Sequence, residues 1–281
     1  MKDKPLSKTA FERAVAGAAY KTGVTSEFVT RLIVNLVVCQ IIERETPADC
    51  ALKGGFSLQL LAGLENARTT KDLDLSIKMQ LEQTKKMMLA LTGHSLGPFR
   101  IQRVIAKPEK TKTSAPAQYR LVELEFQLTY ANSQFRTVTV EISKDELDDS
   151  DQARRVPINI EIRDLCADLK LPVLTHYLGI SAELQIAQKL HAVTQRQSDR
   201  GHDLHDIAYL VKNNEINHGL LKSLTNRTFS YRASHDLPIE LLQTQVLRET
   251  FLIRTKQLKQ SISFDEALSV VNELLRIATA K

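Results

Sequence analysis

Tryptophan is absent from the 281 residues, and aromatic side chains make up only 5% of them. The core must therefore be built mainly from aliphatic side chains. Cysteine is scarce: Cys39, Cys50 and Cys166 are the only three, and none stands in CxxC spacing. That odd count excludes a disulfide framework and a cysteine-based zinc cluster, and it fits a reducing cytosol. Long apolar runs are missing too. The longest, Leu32 to Ile42, is broken by Asn35 and Gln40, and is too short and too polar to span a bilayer. The opening residues, MKDKPLSKTAFERAVAG, carry no apolar leader segment. A cytoplasmic protein with no membrane partner is expected. Internal repeats and low-complexity tracts are also lacking.

What remains is the make-up of a globular protein, with 43% apolar and 25% charged residues. The length suits one large domain or two modest ones. The net charge of +5 permits an anionic partner such as RNA.

Hydrophobic spacing divides the chain in three. Residues 8–46 read as helices, with Thr25 or Ser26 as a cap, Phe28, Leu32, Leu36 and Ile41 as an apolar stripe, and Pro47 as the stop. Residues 52–64 carry a further helical pattern after Gly54-Gly55. From residue 72 the texture alternates, as in half-buried strands: DLDLSIK, then residues 120–130 and 135–143 around an Ala131–Gln134 turn, and the short INIEI at 158–162. From Ser181 onward the pattern is helical again, and Ser263 with Glu266 forms a capping box. The expected fold is α+β: N-terminal helices (1–46), a core with a small mixed sheet (47–175) and a C-terminal helical domain (176–281).

Two charge runs interrupt this pattern. Residues 100–120 hold six Lys/Arg against one Glu, and read as a loop between strands. Such a loop is either a solvated surface or a grip for phosphates, with Arg100, Arg103, Lys107, Lys110 and Lys112 as the RNA-binding candidates. The acidic DELDDSD at 145–151 reads as an exposed linker.

The stretch LKGGFSLQLLAGLENARTTKDLDLSIK, residues 52–78, carries the chemistry. On a strand, residues two apart share a face, so Asp72 and Asp74 project together. Two such carboxylates suit a hard divalent cation; Mg²⁺ takes oxygen ligands and leaves positions for phosphate. Glycines at 54 and 55 let backbone amides approach a phosphate, and the helix behind them adds its N-terminal dipole. Ser57 would add a hydroxyl. A helix-start turn and an exposed acidic strand would show the same residues separately; the order and the intervening helix join them. The pattern resembles the glycine-pair and acid–apolar–acid signature of polymerase-β-type nucleotidyltransferases. Sixteen residues separate Gly55 from Asp72, a permissive spacing. A third carboxylate would come from Glu123, Glu125, Glu141 or Glu161; Glu141 is favoured as a metal ligand, and Glu125 is the reserve.

A second constellation lies in AELQIAQKLHAVTQRQSDRGHDLHDIAYLV, residues 182–211. Lys189 flanks the apolar face of its helix, and Asp203 and Asp206 share a face if the segment is helical. A lysine there would neutralise phosphate charge, and an aspartate would position it or the attacking hydroxyl. A solvated helix pair is the plainer alternative.

Taken in order, LKGGFSL, RTTKDLDLSI, VEIS, AQKLHAVTQR and RGHDLHDIAYL resemble the four-motif layout of the AbiEii/AbiGii nucleotidyltransferase toxins, a family that includes MenT-like toxins. The resemblance covers about residues 50–212. It implies that Gly54, Gly55, Ser57 and Thr70, with Lys53 beside them and Lys189 and Asp206 later in the chain, bind the nucleotide. Thr70 stands where the family often has serine, Asp72 and Asp74 bind Mg²⁺, Lys189 is the third-motif lysine, and Asp203 and Asp206 form the fourth motif. Asp72, Asp74, Lys189 and Asp203 are then the catalytic set. Phe56 and His205 depart from the family's usual residues. The resemblance further implies transfer of a nucleotide from an NTP to RNA, at the tRNA 3′ end in several relatives, a block of translation, and an antitoxin encoded alongside.

Two other chemistries compete. Arg196 and His202 have the spacing of metal-independent HEPN ribonucleases. Transfer to protein is the second, with Thr70 itself an acceptor. A metal site on His191, His202, His205 and Asp203 is a weaker option.

Overall fold

The structure, a computed structural model, describes residues 5–46, 50–64, 66, 70–108, 121–147, 153–172, 175–256, 258 and 262–280. Two compact units divide the chain: Met1–Asp145 with Ala153–Gly179, and Glu146–Gln152 with Ile180–Lys281.

The first unit runs α1 (Lys8–Thr22), α2 (Ser26–Glu45), β1 (Cys50–Lys53), α3 (Gly54–Ala62), β2 (Asp72–Ile77), α4 (Leu81–Ala90), β3 (Ser95–Leu96), β4 (Phe99–Ala106), β5 (Leu121–Tyr130), β6 (Ser133–Lys144), β7 (Ala153–Pro157), α5 (Ile160–Asp168) and β8 (His176–Ile180). The strands form one mixed sheet, in the order β3-β4-β5-β6-β2-β1-β8-β7. β2 pairs parallel with β6 and antiparallel with β1, and β1 pairs parallel with β8. The N-terminal helices belong to this unit and pack with the sheet in one core.

Helix α2 is capped by Thr25, whose side chain accepts from the Phe28 amide. Thirteen of its 20 residues are buried, so it is a core helix on nearly every side. Alternation sets the sheet's two faces. Leu73, Leu75, Leu124, Phe126, Leu128, Val138, Val140 and Ile142 are buried on the core face. Each contributes about 1.5–3 kcal/mol relative to exposure. Four of the few aromatics, Phe11, Phe99, Tyr130 and Phe135, gather at one place in this unit. Phe11 lies 4.7 Å from the Tyr130 ring and 5.6 Å from the Phe99 ring, and the Tyr130 hydroxyl donates to the Leu6 carbonyl at 2.8 Å.

Four local expectations change. The basic segment is not loop throughout, because Phe99–Ala106 is strand β4, paired with β5. Phe99 and Ile101 alternate with exposed neighbours, and a bulge between Ile101 and Arg103 hid the period from the sequence. INIEI is not a strand. Asn159 caps a helix there by accepting from the Glu161 amide at 2.9 Å, and Ile162, Leu165 and Cys166 bury one face of α5. Glu146 is not a solvated linker residue, since both its carboxylate oxygens accept from Arg232, at 2.8 and 2.9 Å. Most of the other acids of that run lie outside the described residues.

The β5–β6 turn places Ala131 and Asn132 both at positive φ, 46° and 67°. Two residues of that conformation make a tight hairpin, shorter than the four-residue turn the sequence suggested.

The second unit is helical: α6 (Ala182–Val193), α7 (Gly201–Asn213), α8 (His218–Arg232), α9 (Gln245–Thr255) and α10 (Phe264–Thr279). Ser263 caps α10 through the Glu266 amide, as the capping box implied. Gly201 is required by packing, because a Cβ there would collide with the Leu247 carbonyl and the Phe251 amide of α9.

Candidate active site

In the first unit the glycine pair and the acid pair meet. Lys53, the residue before Gly54, is the register partner of Asp74. Gly54 has φ +68°, and a Cβ on it would fall on Oδ2 of Asp74. The carboxylate therefore packs directly on the backbone where α3 begins, at a place only glycine can occupy. Lys53 is the N-cap of α3 and makes no side-chain cap bond. The start of the helix thus presents backbone amides without a capping side chain of its own.

The register across β2 and β6 places further acids on the same face. Asp72 pairs with Thr139, and Asp74 pairs with Glu141. Glu141 in turn pairs with Glu123 on β5, and Thr139 with Glu125. Directly paired residues project to one side. Asp72, Asp74, Glu141, Glu123 and Glu125 therefore share the face opposite the apolar core. Of the four candidates for a third carboxylate, Glu141 is the one beside Asp74. Glu125 is held by Lys107 at 2.5 Å. Glu161 is on α5, not on the sheet, and accepts from the Leu64 amide at 2.9 Å.

The donor set is all carboxylate oxygen, which suits a hard cation such as Mg²⁺. Among the described residues, no three His, Cys, Asp or Glu side chains converge closely enough to hold a metal by themselves. The expected three-ligand set of Asp72, Asp74 and Glu141 is thus brought to one face but not drawn together. A pair of carboxylates remains, and Mg²⁺ is commonly held by one or two carboxylates with substrate phosphates completing its shell. The histidine-based metal site is not assembled either: His191 is buried between Arg232 and Ser234, at 3.3 and 3.0 Å.

Two expected nucleotide-binding hydroxyls face inward. Ser57 is 1% exposed, and its Oγ lies 3.0 Å from the Tyr177 hydroxyl. Burial pushes the Tyr177 phenol well above its usual range, so the pair is a neutral hydrogen bond. The Thr70 hydroxyl donates to the Asp72 carbonyl at 3.3 Å and steadies the entry to β2.

Arg100 and Arg103 are on β4, register-paired with Thr129 and Gln127. They share the face of the carboxylates, and Lys107 follows just beyond the strand. Lys110 and Lys112 lie outside the described residues.

In the second unit Lys189, Asp203 and Asp206 do come together. The ammonium donates to Asp203 Oδ1 and to Asp206 Oδ2, each at 2.7 Å, with all three residues buried. Arg200 adds a third contact, from Nε to Asp203 Oδ2 at 2.5 Å. Burial alone would raise the Asp203 carboxyl. The positive charges of Lys189, Arg200 and His202 outweigh it and hold the group below the usual carboxylate range. Sequence reasoning missed Arg200, although its place three residues before Asp203 on the same helical turn was the available signal. Arg196 is in the exposed turn between α6 and α7, off the helix that carries His202, so the ribonuclease spacing is not presented on a helix.

His205 is buried on α7. Its ring stacks near Tyr209, at 6.3 Å, and is tilted against Phe251, at 6.2 Å, but its buried Nε2 has no hydrogen-bond partner. Removing an unsatisfied buried nitrogen is worth about 1–3 kcal/mol. His205→Phe is therefore expected to raise the melting temperature by a few degrees, as read by a thermal melt.

Arg248 is engaged within its own unit. Its guanidinium lies 4.5 Å over the Phe264 ring and pairs with Asp265 at 2.6 Å.

Comparison with known proteins bears on the fold and the family. MenT4, a nucleotidyltransferase toxin from Mycobacterium tuberculosis H37Rv, has a similar structure, with a TM-score of 0.62 over 96% of this chain and 90% of that one at 12% identity. At that identity the likeness shows the fold. A nucleotidyltransferase candidate from H. pylori aligns over 91% of this chain and 96% of its own, at 16% identity and a TM-score of 0.47. No curated protein sequence matches the chain. Among the described residues, no single helix is long and apolar enough to cross a membrane. Residues 37–275 match the family described as nucleotidyl transferase AbiEii toxin, type IV toxin–antitoxin system, so the chain belongs to the AbiEii nucleotidyltransferase toxins.

Proposed function

We propose that this toxin transfers a nucleotide from an NTP to the 3′ end of an RNA, with tRNA as the acceptor, and so blocks translation in the cytoplasm. The observation that carries the site is the contact between Asp74 and the Gly54 backbone, which joins a carboxylate pair to a helix start whose N-cap side chain makes no cap bond. Family membership supplies the reaction class and implies an antitoxin partner.

In this account the amides of Gly54 and Gly55 receive the triphosphate, helped by the dipole of α3. Asp72 and Asp74 would hold Mg²⁺, with Glu141 alongside. A bound divalent ion supplies charge neutralisation for the entering and leaving oxygens of an in-line displacement. The terminal hydroxyl of the RNA attacks the α-phosphorus and gives up its proton to solvent; the new O–P bond forms as the α–β phosphoanhydride bond breaks, and pyrophosphate departs. Arg103 and, farther along β4, Arg100 lie three strands from β2 on the same face, about 14 Å across the sheet by strand spacing alone. That is the scale of a few nucleotides, and we assign them to the acceptor's phosphates.

The test incubates the protein with total tRNA and each of the four labelled NTPs separately. Label is expected on tRNA with one or more NTPs in Mg²⁺ and none in EDTA. Shortened RNA in EDTA would point instead to ribonuclease chemistry, and label on the protein would point to a protein acceptor.

A further inference from the structure

We infer that Ser143 is a positioning residue that sets where the Lys53 ammonium stands over the acidic face of the sheet. The inference rests on the nucleotide-transfer reading above. Ser143 is two residues beyond Glu141 on β6, so it shares that face, and it is register-paired with Ser76 of β2. Lys53 is on β1, opposite Asp74. Its side chain crosses β2 to reach β6, where Nζ donates to Ser143 Oγ at 2.6 Å. The Ser143 hydroxyl in turn donates to the Leu75 carbonyl at 3.5 Å, which leaves its lone pairs as the acceptor for the lysine. Ser143 is 8% exposed, so this hydroxyl has little freedom to turn elsewhere.

Lys53 is the residue from which α3 springs, and its neighbour Gly54 packs on Asp74. The bond to Ser143 gives the ammonium a fixed location. A long lysine stem otherwise samples many rotamers, and ordering it costs up to about 2 kcal/mol. The Ser143 bond settles that cost before substrate arrives. Lys53 then meets the anionic triphosphate at a set distance from the carboxylates, and Ser143 acts on the nucleotide only through Lys53.

The test measures equilibrium binding of each Mg·NTP to the purified protein, and steady-state transfer to tRNA. Ser143→Ala is expected to raise Kd and KM for the NTP about fivefold, one modest hydrogen bond's worth, with kcat within about twofold. Ser143→Thr, which keeps the hydroxyl, is expected to restore both. In a Lys53→Met background, Ser143→Ala should add nothing further. Unchanged Kd and KM in Ser143→Ala, or a full additional loss on top of Lys53→Met, overturns the inference and leaves the transfer reading standing. Absence of NTP binding by the wild-type protein overturns both.

Discussion

Asp74→Asn is expected to abolish nucleotide transfer to RNA, cutting it by about a thousandfold or more, while the protein stays folded. The substitution is nearly isosteric, so the packing of residue 74 against Gly54 survives. What is lost is one full negative charge at the place assigned to the cation. Charge stabilisation of this kind is worth several kcal/mol in the transition state, and each 1.4 kcal/mol is about tenfold in rate. Asp72→Ala should behave alike, since Asp72 projects from the same face two residues earlier. Labelled-NTP incorporation measures the loss, and a thermal melt shows that the fold is retained. Activity near the wild-type level in either variant would remove the acid pair from the mechanism.

Lys189→Met should unfold the second unit more readily, by about 3–5 kcal/mol at neutral pH. Asp203 is fully buried and Asp206 nearly so, and both accept from the Lys189 ammonium. Taking away one partner of a buried ion cluster leaves uncompensated charge, which costs far more than an exposed pair would. Arg200 remains on Asp203 and softens the loss. The pH dependence separates this cause from lost packing. In the wild type, Asp203 is held below its ordinary range. Its stabilisation is therefore fully present above about pH 4, the unfolded carboxyl's range, and is lost as pH falls through the lower folded value. In the variant the Asp203 carboxyl loses the largest of those opposing charges and rises, so the folded variant takes up a proton at higher pH than the folded wild type does. Urea melts from pH 7 to 4 should thus show the gap between the two proteins narrowing. A gap that stays constant would mean that volume, not charge, had been lost.

The parts legible in the sequence were those governed by short-range rules. Alternation in DLDLSIK gave β2 and the shared face of Asp72 and Asp74, and a period of two is hard to imitate. Thr25 and Ser263 announced their helices because a capping side chain acts within three residues. The lysine–aspartate cluster was visible as a motif, and helical spacing put Asp203 and Asp206 on one side of α7.

The missed parts depend on partners distant in the chain. INIEI alternates well enough for a strand, but the Asn159 cap and the burial of Leu165 and Cys166 make it a helix. β1 is only four residues long, too short for any period to show, and its pairing partners are Asp74–Ile77 and Gly179. Ser57 looked like a phosphate ligand beside two glycines, yet its hydroxyl is taken by Tyr177, 120 positions away. Ser143 was passed over although the rule that paired Asp72 with Asp74 also pairs it with Glu141. Only the register across β1, β2 and β6 gives that serine a meaning.

The contact between the glycine turn and the acid strand is the centre of the account. Diffraction from crystals holding Mn²⁺ and a non-hydrolysable NTP would test it most directly. The account expects an anomalous peak bonded to Asp72 and Asp74, with the triphosphate lying on the amides of Gly54 and Gly55. A nucleotide bound away from residues 53–55, or a metal peak that touches neither aspartate, would contradict it.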